Sequence, residues 1–431
     1  MRVPVRPLVL VLSLTGLVAG CGPAADDAKS GTKTPPAASA PAPSVPPLMA
    51  HDPPSWFDAR GKVALPEVAT KGRTNLAGQV RGGGTELPVL LHDAQAFVAS
   101  PTGVQVVDLA TGRVMGEETA QGEALRGDAE GYTLPPVLAG TEVLVPFLTT
   151  TPASGTYAAG GSVELVAVGT TAPYKAAWRT TIKLPEWALR STKATLASAK
   201  ATVAVVGAQD GTAVVTVVAG DDSVSYGIDT ASHTLRWTHS GLKTVAVGTG
   251  MATGLLDGEP LTPFPVGVDL ATGTEKWRGE KTYAAVMEKA GPGTVRIAGQ
   301  RPDGSKADRL LDVTGGQVRA DMPPGLNVMS CTHDQVETLV CEYAFGVAAV
   351  DPTDGRQLWI IKEGEGSRKP PRVTSVWHGR IYGRGVGGPV ALEARTGADM
   401  PTPPKAAPLL VNEYVGLVLD DNHLFSYPAG S

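Results

Sequence analysis

Cysteine, aromatic residues and excess positive charge are all scarce in this chain of 431 residues, and each scarcity removes a class of function. Three cysteines are too few for a disulfide-built scaffold, and the last two, with only His333 nearby, lack a four-ligand zinc set. The histidines His51, His92, His233, His239, His333, His378 and His423 form no HxH or HxxxH pair, so no metal site is expected from them. A net charge of −5, without basic runs interleaved with aromatics, argues against nucleic acid as a partner. No GxSxG elbow marks a serine hydrolase. Asp221-Asp222, with Asp210 upstream, lacks the calcium-loop pattern and its terminal Glu. The glycine-rich runs RGGG at 81–84, AAGG at 158–161 and GRGVGG at 383–388 open no helix and read as turns rather than phosphate cradles.

What is present begins at the N-terminus. Arg2 and Arg6 precede the apolar run Leu8 to Val18, which is too short to span a bilayer, and Leu17-Val18-Ala19-Gly20 lead directly into Cys21. This resembles the lipobox of bacterial lipoproteins, which implies a signal peptide at 1–20, removal of that signal and acylation of Cys21. Residues 21–55 are rich in Ala, Pro, Ser and Thr with almost no large apolar side chain, the composition of a disordered tether. Order is expected to begin at Trp56-Phe57.

The rest, 56–431, repeats one hairpin formula. It occurs as GVQVVDLATGRVM at 103–115, SYGIDTASHTLRW at 225–237, VGVDLATGTEKW at 266–277, GVAAVDPTDGRQLW at 346–359 and GPVALEARTGADM at 388–400. An alternating apolar strand runs into Asp108, Asp229, Asp269 or Asp351, whose carboxylate accepts backbone N–H groups and sets a turn. A glycine tolerant of positive φ follows, and a second strand carries the aromatic Trp237, Trp277 or Trp359, a broad ring suited to the wedge between neighbouring small sheets. Further copies fall near Val168 (ending at Trp178), Asp312, Glu393 and Tyr427. The later copies recur roughly every 40 residues, the length of a four-stranded blade. The first two steps are longer, which places insertions at 149–161 and around Trp187. ATLASAKATVAVVG at 195–208 reads as strand, not helix, and the chain as all-β.

The run apolar-x-apolar-Asp-x-x-Thr-Gly-x-x-x-Trp resembles the repeat of PQQ-like β-propellers over roughly residues 85 to 431. That family includes quinone-dependent alcohol dehydrogenases, BamB-type outer-membrane-assembly lipoproteins and kinase sensor domains, so the resemblance implies a fold more than an activity. Eight copies predict eight blades, with seven as the alternative. The tail offers three strands, in APLLVNE, VGLVLDD and HLFSYP, so a segment between Lys62 and Val80 is expected to close the last blade. Quinone-binding relatives carry adjacent cysteines and a catalytic Asp; this chain has no adjacent cysteines, and its repeat acids are already assigned to turns.

Two further readings complete the expectation. Cys331 and Cys341 flank a short turn between two strands of one blade and are expected to form a disulfide in an oxidising compartment. Arg372, Arg380 and Arg384 with Trp377 and Tyr382 make a small basic and aromatic patch, read chiefly as outward-facing strand residues and secondarily as a partner surface. Together these describe a monomeric, non-enzymatic lipoprotein without a cofactor. It is held on the extracytoplasmic face of a bacterial membrane and binds an envelope protein, peptide or ligand. The alternatives are a PQQ-dependent enzyme and a ligand-sensing module.

Overall fold

The computed structural model describes residues 46–70, 87–125, 134–151, 160–189, 201–258, 262–324 and 328–431, together with 153, 155 and 326. Cys21, the segment 1–20 read as a signal peptide and the RGGG run lie outside these residues. Eight antiparallel sheets follow one another along the chain, which makes this an eight-bladed β-propeller. Blades 1 to 8 begin at residues 89, 123, 202, 242, 283, 328, 372 and 410. In blades 1 and 3 to 7 the strands run in sequence order from the first to the outer strand; in blade 2 the two short strands Glu123–Ala124 and Val137–Ala139 both pair with Glu142–Thr151, and in blade 8 the outer positions are filled from the N-terminal segment. Among the described residues the only helical segments are short 3-10 turns at Ala59–Gly61, Glu67–Ala69 and Glu186–Leu189.

The two predicted insertions both belong to blade 2. The 149–161 stretch lengthens its central hairpin, Glu142–Thr151 against Gly160–Gly169, and the turn carrying Trp187 packs between blades 2 and 3. Thr202–Gln209 is strand as read; 195–200 lie outside the described residues.

The repeated acids bend the backbone as their spacing requires. Asp269 Oδ1 accepts the N–H groups of Ala271 at 3.1 Å and Thr272 at 2.9 Å, and the Gly273 N–H returns to the Asp269 carbonyl at 2.8 Å. Asp108, Asp229 and Asp312 likewise each accept two such amides. The residue four positions after each acid has φ near +70°, and is Gly112, Gly273, Gly316, Gly355 or Gly397, with His233 at +59° in blade 3. Only glycine takes that conformation without strain.

These turns also receive the neighbouring blade. The indole Nε1 of Trp237 in blade 3 donates to the Leu270 carbonyl in blade 4 at 2.8 Å; Trp277 donates to Val313, and Trp359 to Ala394, at the same distance. Each acceptor is the residue directly after a turn acid. Each ring lies on the turn glycine, where an added Cβ on Gly273 would sit 2.6 Å from the Trp237 ring and on Gly397 2.6 Å from that of Trp359. Trp178 departs from this rule: its Nε1 bonds Glu142 of its own blade at 2.8 Å and its ring stacks on His233 at 4.7 Å, because a histidine occupies the glycine position it faces.

The ring closes with both chain ends in blade 8. Val63 and Ala64 pair with Ser426 and Phe425, within the expected window, but a second part of the seal lies upstream of it: Trp56 and Phe57 pair with Gly430 and Ala429. Phe57 is fully buried, edge-on to Tyr382 at 5.3 Å, so this wedge needs an aromatic that the later segment does not supply. At this joint Val63 covers Gly112, and the Ser426 hydroxyl donates to the Leu109 carbonyl at 2.9 Å in place of an indole.

Replacing Gly273 with Ala is expected to cost about 1–3 kcal/mol, from strain at positive φ and displacement of Trp237. Trp277→Phe, which orphans the Val313 carbonyl, should cost about 1–3 kcal/mol. Denaturant midpoints unchanged from the parent in either variant would contradict the joint described. Amides and partner side chains hold the carboxyls of Asp229 (Ser232 N–H first, then Arg236), Asp269 (the Thr272 hydroxyl first) and Asp351 (the Thr353 hydroxyl first) below the usual range. A carboxyl depressed in the folded state stabilises above its unfolded pKa, and that contribution fades as pH falls through the folded value. Stability should therefore decline below about pH 4, and Asp269→Asn should flatten that decline in acid titrations followed by circular dichroism.

Candidate functional site

The two ends of the propeller are built differently. One end, the turn face, carries the acid turns and the hairpins joining first to second strands. The other carries the hairpins joining second to third strands and the links between blades, and all three of the cavities described below open there. It is called here the cavity face.

Local irregularity in the first strands shapes those cavities. In five consecutive blades the first strand holds one or two residues more than its partner: Val206 in Thr202–Gln209, Val245 in Leu242–Gly248, Ala284 and Ala285 against the single Gly299 and then Ala290 in Tyr283–Gly291, Met329 in Val328–His333, and Thr374 in Arg372–Trp377. Such bulges re-aim side chains and bend the strand. Val206 and Val245 line a cavity of 610 Å³ spanning blades 2 to 5, Ala284 and Ala285 line one of 470 Å³, and Thr374 lines one of 410 Å³. Met329 is left exposed. No motif marked these positions. The trace in the sequence is a break in strict alternation, as at Val205-Val206.

The largest of these three has aliphatic walls, Val137, Val205, Val206, Val218, Val245 and Met287, with Lys243, Glu288 and Lys289 beside them. The second shares Val218 and Lys243 with it and adds Asp221, Asp222 and Asp257. Burial, with the like charges of Asp222 and Asp221 adding to it, raises the Asp257 carboxyl against the opposing Ser223 hydroxyl bond of 3.1 Å. Asp210 stands in a turn at the opposite end, so the three acids considered for calcium do not converge. Among the described residues no group of His, Cys, Asp and Glu is placed to hold a metal ion.

The Arg/Trp/Tyr patch divides between the two faces. Arg372 and Arg384, directly opposite each other, border the 410 Å³ cavity. Trp377, Arg380 and Tyr382 instead seat the N-terminal segment on the turn face. Asp52 accepts from Trp377 Nε1 at 3.0 Å and His378 Nδ1 at 2.6 Å, while Arg380 and the Tyr382 hydroxyl each donate to the Pro54 carbonyl at 2.6 Å. The His51 N–H reaches the Glu413 carbonyl at 2.7 Å. Chain order thus begins before Trp56, because backbone carbonyls and a carboxylate find partners in blade 7 where composition alone suggests only a tether.

Two buried constellations are structural. Cys331 and Cys341 face each other in register and form a disulfide with Cα atoms 4.1 Å apart; Asp334 secures the intervening turn through the amides of Val336, Glu337 and Thr338. Arg296, almost wholly buried, holds Asp308 at 2.7 Å and Glu288 at 2.6 Å, and Glu288 also accepts the Cys331 N–H at 3.1 Å, tying blade 5 to blade 6. Burial raises the Glu288 carboxyl despite these partners.

No family model and no curated protein sequence matches the chain. Among solved structures it resembles BamB from Moraxella catarrhalis, at 13% identity and a TM-score of 0.46, covering 86% of this chain and 98% of that one. It also resembles a europium-containing methanol dehydrogenase, at 11% identity and 0.41, covering 78% and 80%. A third is the quinohemoprotein alcohol dehydrogenase ADHIIG from Pseudomonas putida HK5, at 10% and 0.39, covering 82% and 70%. The eight-bladed fold itself rests on the chain's own sheet order.

Arg296→Met should destabilise by about 3–5 kcal/mol, since Glu288 and Asp308 would keep buried charge without a partner. The loss should be smaller at pH 4 than at pH 8, as protonation relieves them. Equal losses at both pH values, measured by urea unfolding, would contradict this role.

Proposed function

We propose that this protein is a lipid-anchored, extracytoplasmic scaffold that binds another envelope protein through its cavity face and carries out no catalysis. One observation carries the reading. The three cavities and the second-to-third-strand hairpin tips lie on that face, whereas the repeat acids that a catalyst would draw on are taken up by turn amides at the other end. Phe345 and Val386, 67% and 90% exposed, stand at the tips of second-to-third-strand hairpins, and the exposed Val286 and Met329 lie at the cavity-face ends of their strands. Leu235, Val318 and Val336 are exposed on the turn face as well, so the cavity face is distinguished by apolar hairpin tips standing beside cavities, a combination suited to a protein contact.

The attachment fits this use. The segment from His51 to Ser55 joins the propeller on the turn face, away from the proposed partner surface. A rigid ring then fixes the hairpins that recognise the partner.

A photo-crosslinking residue at Phe345 or Val386 is expected to capture a discrete envelope protein in membranes, and one at Thr353 on the turn face is not. Capture from Thr353 alone would overturn the assignment of the face. Cys21→Ser should move the protein from the membrane to the aqueous fraction, and unchanged partition would remove the anchor.

A further inference from the structure

We infer that the 610 Å³ cavity binds an aliphatic carboxylate, an unbranched acyl chain with a free acid group, with its chain against the bulged strands and its head at Lys243 and Lys289. The volume is within the range of small-molecule sites. The lining supplies valine, alanine, leucine, proline and methionine side chains but no aromatic ring, so an aliphatic body matches it and a flat ring finds nothing to stack on.

The polar lining narrows the class further. The Thr216 and Thr244 hydroxyls each lie 2.8 Å from Ser225 Oγ, which also donates to the Leu242 carbonyl at 2.8 Å, so this network is satisfied within the protein. The Thr202 hydroxyl donates to the Val218 carbonyl at 3.4 Å. Glu288 is engaged by Arg296 and the Cys331 amide. Both bonds to Glu288 fall on Oε1, so what remains to meet a ligand is its Oε2 and the ammonium groups of Lys243 and Lys289, both on exposed residues and neither in an ion pair among the described residues. The two cations outnumber that carboxylate, so an anionic head answers the lining where an uncharged chain would leave the cations unused.

The bulges give the cavity its depth. Without the extra residue in each of the first strands of blades 3 and 4, Val206 and Val245 would pair in register instead of facing this space. The inference depends on the cavity alone, so its failure would leave the anchor and partner readings standing.

The test is calorimetric titration of the full chain carrying Cys21→Ser, in detergent-free buffer, with decanoate and with 1-decanol. One-to-one decanoate binding is expected, weakened about tenfold by K243E with K289E, while 1-decanol binding changes little. Val245→Trp should abolish binding of both, with the thermal unfolding midpoint confirming an intact fold. If that variant fails to fold, the two surface lysine substitutions still decide the matter. Absence of saturable decanoate binding, or equal decanoate affinity in the lysine variant, would overturn the proposal.

Discussion

Each joint between blades has to bury a carbonyl that follows a turn acid, and the indole N–H of the preceding blade meets that need three times over. The hydrogen bond from Trp237, Trp277 or Trp359 links one sheet's outer strand to the next sheet's turn. The arrangement couples three residue choices. The acid sets the turn, the turn requires a left-handed residue four positions on, and glycine at that position leaves the flat surface on which the ring lies. Losing any one of them exposes polar backbone at a seam where water is excluded.

Where the formula lapses, other groups cover the turn, and in one joint another group supplies the donor as well. In the joint from blade 8 to blade 1 the ring's area is covered by Val63 and its donor replaced by Ser426. From blade 2 to blade 3 a histidine at the glycine position becomes a stacking partner for Trp178, whose N–H turns to Glu142 instead. From blade 5 to blade 6 Ala320 lies against Gly355. A ring of eight thus tolerates weak copies, because a seam can be covered by residues of several types.

The seams were legible in the sequence because acid, glycine and tryptophan are chemically distinctive and evenly spaced, and the blade count followed from them. The cavity face was not legible. A bulge inserts one small apolar residue among others, so Val206 or Val245 leaves alternation only slightly disturbed, and no fixed chemistry announces it. The seating of residues 51–55 escaped for a related reason: Pro54 contributes a carbonyl, which every residue has, and its partners Arg380 and Tyr382 lie more than three hundred positions away. The arginine and aromatic patch read as one unit because its members are close in sequence. Strand alternation and opposite strand ends send them to separate tasks.

The shared last blade determines how the molecule carries load. The first described residues enter at the turn face, and Trp56–Phe57 and Val63–Ala64 then run antiparallel to the strand His423–Gly430. Tension arriving through the N-terminus is directed along that strand, so its ladder is sheared as a group instead of being peeled open one bond at a time. The same pairing joins Trp56–Ala64 to a strand more than three hundred and fifty positions later, so the circle cannot shut until that strand has left the ribosome.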